Sequence, residues 1–514
     1  MSRKDIAIKG GFIGLVSQIV TLFLKVLVRT FLIRICGRDI LGLDGVLLDT
    51  ISMLSLAELG ITASMLYRLY QPVIHRETNR ISELLSAYRV IYQAIAILIT
   101  IIGLLMSLLL PYIIKNVSVS TKTIYVSYYM YLLTTVCSYL LSYRRILLNA
   151  DQKKHLCILV DLIATAVFSL FKIIVLVWVK SYILYIFIGV IQVITANVYL
   201  WRFTKNTYAD ICFSTKINKQ DILALFTDTK EILATKIAGY VYNSTDNMII
   251  TVMLGTDLVG VLSNYKYITN ALKGLVNNAI ASIQPLVGNY LNSEVTVDDA
   301  YLTLKRYTFF RYLIAGVTTI PLILLTDIAV KIWTNNDIYL MERGISILLA
   351  IDYYIGCVYG PLNEYITGMG LFKKGKYPMF VGAVSNIALS LLGVVIYGVE
   401  GVLIGTVFSQ FIIWIGSAII IFKHYFVGRK YYIDYIKQHV FYCVVILINV
   451  IIDVPILQCI KISSEIGKFL LFGIVIECVY IVSVILVYRK KDEYRYAYDI
   501  LVSMINKIRR RQKL

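Results

Sequence analysis

Apolar residues run along this chain in long blocks separated by short polar stretches, and most blocks reach the roughly twenty residues that carry a helix across a bilayer. In the first half the blocks fall at 11–35, 45–69, 88–113, 124–147, 156–179 and 182–203. In the second half they fall at 233–254, 258–284, 308–332, 344–369, 377–397 and 401–423, and a further pair follows at 438–457 and 467–488. The pattern predicts an all-α polytopic membrane protein of about 14 transmembrane helices. Its expected divisions are an N-terminal six-helix lobe (1–203), a cytoplasmic linker with an interfacial helix (204–232), a C-terminal six-helix lobe (233–425), an extra helix pair (426–488) and a basic tail (489–514).

The two lobes repeat a motif. Gly37-Arg38-Asp39-Ile40-Leu41-Gly42-Leu43-Asp44-Gly45 and Gly255-Thr256-Asp257-Leu258-Val259-Gly260-Val261 share the order glycine, any residue, aspartate, two aliphatics, glycine, aliphatic, at an offset of 218 residues (255 − 37). Lys153-Lys154 and Lys373-Lys374 recur at 220 (373 − 153). Each glycine motif interrupts apolar blocks and predicts a tight outer turn, where glycine permits positive φ and aspartate bonds its own backbone. Six helices per copy is an even number, so the repeat is expected to be parallel, around a central cavity.

Composition excludes a soluble domain. Hydrophobic residues make up 59% and charged residues 16% of 514, below the roughly 25% charge of soluble chains, and mean hydropathy is +0.76. The net charge of +19 would suggest a nucleic-acid partner in a soluble chain. Here the cations cluster in alternate short loops: Arg76 and Arg80; Lys153 and Lys154; Lys205, Lys216, Lys219 and Lys230; Lys373, Lys374 and Lys376; Arg429 and Lys430; and the tail from Arg489 to Lys513. This bias predicts cytoplasmic termini, a tail with Arg509, Arg510 and Arg511 against anionic inner-leaflet lipid, and no nucleic acid.

The start Met1-Ser2-Arg3-Lys4 leads into a block carrying Lys25 and Arg29, and is expected to be a retained first helix. The many tyrosines, among them Tyr128, Tyr129, Tyr431 and Tyr432, are expected at the membrane interface. Eight cysteines without a CxxC read as packing residues. His75, His155, His424 and His439, in or beside the predicted inner loops, form no ligand cluster, so neither a metal site nor a cofactor is expected.

Charges at membrane depth are costly and mark functional sites. The first block carries Gln18, Lys25 and Arg29, spaced by seven and four, on one helical face. The eighth carries Lys266, Asn270, Lys273 and Asn277, again on one face, and the seventh carries Asn243, Asp246 and Asn247. Two cationic stripes predict an anionic substrate, because ammonium and guanidinium groups suit phosphate and carboxylate; Asn243, Asp246 and Asn247 could serve ion coupling or structure. The competing reading is that these residues snorkel or pair internally, Asp246 with Lys266 for example. Arg89, Arg144 and Arg145 lie at block ends and fit snorkelling better. Asp161, Asp327, Asp352 and Glu364 also lie in or near blocks, and nothing in the sequence ranks them. The stretch Gly370 to Tyr377 approaches a phosphate-binding loop but has Tyr where a hydroxyl ligand for Mg²⁺ is required.

Gly42-Leu43-Asp44-Gly45 followed by Leu54-Ser55-Leu56-Ala57-Glu58-Leu59-Gly60 resembles the first outer turn and second helix of Wzx-type polysaccharide-unit flippases, in which asparagine is usual at the position of Asp44. Asn243-Ser244-Thr245-Asp246-Asn247, Val259-Gly260 and Ser263-Asn264-Tyr265 resemble that family's seventh helix and following turn, and Ala150-Asp151-Gln152-Lys153 its inner loop after helix 4. The resemblance covers about residues 1–425. It implies membership of the multidrug, oligosaccharidyl-lipid and polysaccharide transporter superfamily, and alternating-access transport of an undecaprenyl-pyrophosphate-linked glycan across the bacterial cytoplasmic membrane for capsule, O-antigen or exopolysaccharide assembly. Polymerase and glycosyltransferases would be partners, and coupling to H⁺ or Na⁺ stays open. The alternatives are a lipid II flippase, a drug antiporter, against which the cationic stripes count, and a membrane polysaccharide polymerase, against which the short outer loops count.

Overall fold

The computed structural model describes residues 3–54, 61–114, 119–151, 153–211, 239, 244–280, 290, 296–369, 371–499 and 502. Among these the regular structure is helical. By contacts the chain divides into two compact units, Met1–Ser263 and Asn264–Leu514.

The first unit begins with α1 (Arg3–Leu54), α2 (Ile61–His75), α3 (Thr78–Ser107) and the single turn α4 (Leu110–Ile113). It continues with α5 (Thr121–Ser142), α6 (Arg145–Ala150), α7 (Lys154–Ile174, extended by a π turn at Val175–Val179) and α8 (Tyr182–Thr207). A helix at 244–253 (α9) and the start of α10 (Thr256–Ile280) close this unit. The second unit takes the rest of α10, then α11 (Val297–Thr334), α12 (Arg343–Gly368), α13 (Phe372–His424), α14 (Arg429–Cys459), α15 (Glu465–Tyr488) and a helix at 492–499 (α16). Nine helices among the described residues are long and apolar enough to cross a membrane. Several begin before their apolar block, Thr78–Ser107 and Val297–Thr334 most of all, because the hydrogen-bond ladder extends past the apolar residues until a cap replaces it. Such caps come from Ser120, Ser181, Thr296 and Ser464, each accepting a backbone N–H from three residues ahead.

Both repeated glycines adopt positive φ, Gly37 at 77° and Gly255 at 114°. The first turn is nevertheless much tighter than the expected 37–45. Only Gly37 departs from helical geometry, and helix resumes at Arg38 and runs to Leu54. One residue in the mirror region suffices to redirect a helix. Asp44 is therefore not a turn residue. A comparable break at Tyr397 and Gly398 (φ 57°) folds α13 back on itself, in the gap between the blocks 377–397 and 401–423. There Gly393 and Gly401 lie so close that a Cβ on either would collide with the other's carbonyl.

Several tyrosines are core residues rather than interfacial ones. Tyr128 is fully buried and donates to the Gly103 carbonyl at 2.7 Å, while Tyr129 is exposed. In the second unit the Tyr312 and Tyr442 rings stack at 4.0 Å, with Phe309 and Tyr488 tilted against them. An aromatic ring supplies large apolar area, and its hydroxyl can end a chain of hydrogen bonds. His439 is likewise buried inside α14, between Trp414 and Tyr435, and not beside a loop. The expected interfacial helix lies mostly outside the described residues, as do Leu56 to Gly60 of the second-helix motif and the arginines 509–511.

Candidate functional site

The repeat has a structural counterpart in the first unit. The stretch after Gly37 and the stretch after Gly255 pack on each other through their second glycines. A Cβ at Gly42 would collide with the Thr256 carbonyl, and a Cβ at Gly260 would lie 2.5 Å from the Arg38 carbonyl oxygen and 2.8 Å from the Gly42 nitrogen. Arg38 and Thr256 are themselves repeat partners, so the contact is reciprocal. Arg38 also faces Asp257 across this crossing at 3.7 Å.

Two polar contacts flank the crossing. Arg29 on α1 donates to the Ser263 hydroxyl on α10 at 2.6 Å. Asn247 on α9, which stands at the repeat position of Arg29, donates to the Asp49 carboxylate at 2.5 Å. The glycine approach brings the helices near enough for these side chains to meet. On the same face as Arg29, Lys25 is exposed and Gln18 half-buried. Asp246 is buried; Asn243 lies outside the described residues.

Asp44 sits within this unit's core, 4% exposed, and accepts hydrogen bonds from Tyr131 on α5 and from Tyr182 on α8, the latter at 2.8 Å. One carboxylate thus ties α1 to two other helices, a role that its place in a glycine motif disguised. Lys172, a cation in the fifth apolar block that the stripe reading passed over, donates to Gln192 at 3.0 Å, which in turn donates to Thr165 at 3.2 Å. Arg145 does more than snorkel. It makes two bonds of 2.8 Å to Asp161 and one of 2.8 Å to Asn197, beside a cavity of about 270 Å³.

In the second unit, Lys273 on α10 pairs with Asp352 on α12 at 2.7 Å. Lys266 is half-buried, and Asn270 and Asn277 are exposed along the same stripe. Gly356, one turn beyond Asp352, leaves room beside the Lys273 stem. Asp327 accepts from Ser346 at 2.7 Å and Tyr265 at 3.2 Å. Glu364 pairs with Arg311 at 2.6 Å and accepts from Tyr307. Arg311, 4% exposed, belongs to no stripe marked by the sequence; its signal was a lone arginine inside an apolar block, which spacing alone does not pick out.

On the α12 side turned toward α14 there is a deep groove of about 690 Å³. Ile351, Tyr354, Val407, Phe411, Ile446 and Val450 contribute to its almost wholly apolar walls. Asp352, the Lys273 partner, directly follows Ile351. Neither Asp352 nor Lys273 lines the groove, so α12 carries the apolar groove on one face and the charged pair on another. An arrangement of this kind can accommodate an amphiphile with a long apolar chain and an anionic group.

These features are those of a helical membrane protein, nine of whose described helices can cross a bilayer. The profile of a family described as polysaccharide biosynthesis protein matches residues 7–290, and the chain belongs to that family. It is a multi-pass membrane flippase or transporter of the MOP superfamily, not an enzyme. No protein of curated function matches the sequence. Among solved structures, the lipid II flippase MurJ in an inward closed conformation is similar over 94% of this chain and 99% of its own, at 14% identity and a TM-score of 0.68. An inward-facing MATE multidrug resistance transporter of the MOP superfamily is similar over 79% and 96%, at 13% identity and a TM-score of 0.61. A eukaryotic MATE transporter follows over 85% and 98%, at 10% identity and 0.54. These likenesses concern the fold.

Proposed function

We propose that the chain translocates an oligosaccharide carried on undecaprenyl pyrophosphate across the bacterial cytoplasmic membrane by alternating access, for surface polysaccharide assembly. The observation that carries this reading is the large apolar groove, walled in part by α12, the helix that also bears the Lys273 partner Asp352. A drug-sized cation would need neither the long apolar wall nor lysines. A polyprenyl chain joined to a pyrophosphate would use both, the groove for the chain and cations for the phosphates, whose charge is costly to bring to depth unpaired. Lys25, Arg29, Lys266 and Lys273, with Gln18, Asn270 and Asn277 between them, are the proposed contacts to phosphate and acidic sugar. The bias of basic loops supports cytoplasmic termini. No cofactor is invoked, and an H⁺ or Na⁺ gradient is the proposed drive.

Cells lacking the chain should lose surface polysaccharide and accumulate the lipid-linked unit on the inner leaflet, and the intact gene should restore export. The likeness to MurJ favours lipid II as the second reading. Rescue of wall synthesis in cells depleted of their lipid II flippase, without any effect on surface polysaccharide, would overturn the first reading for the second.

A further inference from the structure

The two helices beyond the second lobe carry an acidic pair that neither the repeat nor the stripes account for. Asp453 on α14 is 0% exposed, and among the described residues neither of its carboxylate oxygens has a hydrogen-bond partner. Asn449, one turn earlier on the same face, is also 0% exposed. Its amide nitrogen donates to the Val445 carbonyl at 2.8 Å and to Ser483 of α15 at 3.0 Å, which leaves its Oδ1 buried and unpartnered. The Asn449–Ser483 bond ties α14 to α15 one turn from Asp453, and the charge of Asp453 is felt at Glu477 of α15. Glu477 is half-buried.

Two carboxylates and an amide oxygen, all acceptors, thus converge between two helices at membrane depth. Among the described residues no lysine or arginine acts on either carboxyl. From α15 the other titratable neighbour is Tyr480, and from α11 it is Tyr312, whose carbonyl lies 3.5 Å from the Tyr480 hydroxyl. Asp327 on α11 accepts from Ser346 and Tyr265; Lys331 on α11 faces Asp337 and Glu465, and Lys468 of α15 pairs with the same Glu465. From α13 the approach is Trp414, against His439 and Tyr435, about four turns away along α14. An isolated carboxylate without water or a cation neutralises instead of staying charged, and two that share a site cannot both ionise readily.

We propose that Asp453 and Glu477 form a proton-binding site in the extra helix pair. One H⁺ from the aqueous phase adds to a carboxylate oxygen, and the resulting O–H can donate to the facing carboxylate or to Asn449 Oδ1. The site is built into the packing of α15 on α11. The Tyr480 hydroxyl donates to the Leu313 carbonyl at 3.3 Å and fills the space where a side chain on Gly316 would stand. Release of the proton would set two facing charges apart and disturb that contact. Because α14 also walls the apolar groove, the site is placed to couple proton occupancy to the carrier; that role rests on the flippase reading, whereas the proton occupancy does not.

Infrared spectra of the purified full chain in lipid nanodiscs test this without any substrate. At neutral pH the wild type should show a protonated-carboxyl carbonyl band that is lost in Asp453→Asn/Glu477→Gln. In Glu477→Gln alone, the Asp453 band should survive and disappear at lower pH than it would beside a second carboxylate. Both replacements are neutral and similar in shape, so thermal midpoints at or above wild type are expected; should the double variant fail to fold, Glu477→Gln at its half-buried position carries the test. Spectra unchanged between wild type and variants would overturn the site. So would bound radioactive Na⁺, lost in the variants, with no protonated-carboxyl band, which would make it a sodium site.

Discussion

Gly42 and Gly260, 218 residues apart in the chain, meet backbone to backbone at one helix crossing of the first unit, each against the segment that begins the other's repeat. Small residues let membrane helices approach closely, where packing and hydrogen bonds, not hydrophobic transfer, hold them together. The same crossing brings Arg29 to Ser263 and Asn247 to Asp49.

A methyl group at either glycine has nowhere to go except into main chain. Gly42→Ala and Gly260→Ala should each lower stability by about 1–3 kcal/mol, read as a drop in the thermal midpoint of purified protein. Gly45→Ala is the control, since a Cβ there meets only a Val259 methyl at an ordinary 3.9 Å. Equal midpoints for all three variants would refute the crossing.

How far the fold could be read in advance follows from what a periodic pattern records. Apolar blocks report length and depth, so the all-helical membrane class was legible, as was the fold-back near Gly398. The motif repeat also carried real geometry, since Gly37 and Gly255 both take positive φ. What spacing could not supply was partners. Lys273 stood on a visible stripe, but its pairing with Asp352, 79 residues away, depends on tertiary packing. Asp44 looked like a turn residue because its neighbours are glycines, yet it is a buried acceptor for two tyrosines. Asp453 stands one turn beyond Asn449 in its apolar block, but no spacing along the chain relates it to Glu477 in the next block.

The Lys273–Asp352 pair separates a binding role from a structural one. If Lys273 serves the substrate, Lys273→Gln should cut polysaccharide export while leaving protein level near wild type, and Asp352→Asn should be milder. If the pair only braces α10 on α12, both should lower protein level together, and the double replacement should recover it, because the cost lies in the uncompensated partner. Replacing Lys25, Arg29, Lys266 and Lys273 together by Ala with full export and normal folding would refute the proposed site.

The groove makes a separate prediction. Val407→Trp should fill it and reduce export, with protein level maintained, since Val407 is only half-buried and borders the groove's empty volume. A photoreactive polyprenyl phosphate should label wild type near α14, and label Val407→Trp several-fold less. Unchanged labelling would show that the chain lies elsewhere.

Topology can be checked independently of transport. Reporter fusions after Leu514 and near Ile217 should both behave as cytoplasmic, because the basic loops alternate with loops that hold only scattered cations such as Arg38, Lys115, Lys122, Lys180 and Lys461. An external signal from either would break the even helix count.

Arg311 and Glu364 are buried together, with Tyr307 closing the network and Gly360 giving the guanidinium room to lie flat on α12; a Cβ at 360 would stand 2.6 Å from its carbon. Desolvating two ions is costly, so the pair is not expected to add much net stability, but leaving one ion alone should cost about 3–5 kcal/mol. Glu364→Ala should therefore destabilise the purified protein strongly, and Glu364→Gln less, since the amide oxygen still accepts from Arg311. Gly360→Ala should resemble a partial loss of the pair by displacing the arginine without touching either charge. The decisive variant is Arg311→Met with Glu364→Leu, which removes both charges at similar volume. If the network is only structural, the double variant should recover most of the thermal midpoint and also full export. If the midpoint recovers and export does not, the buried charges act in transport itself, and the search for the substrate path should extend from the Lys273 stripe to α11.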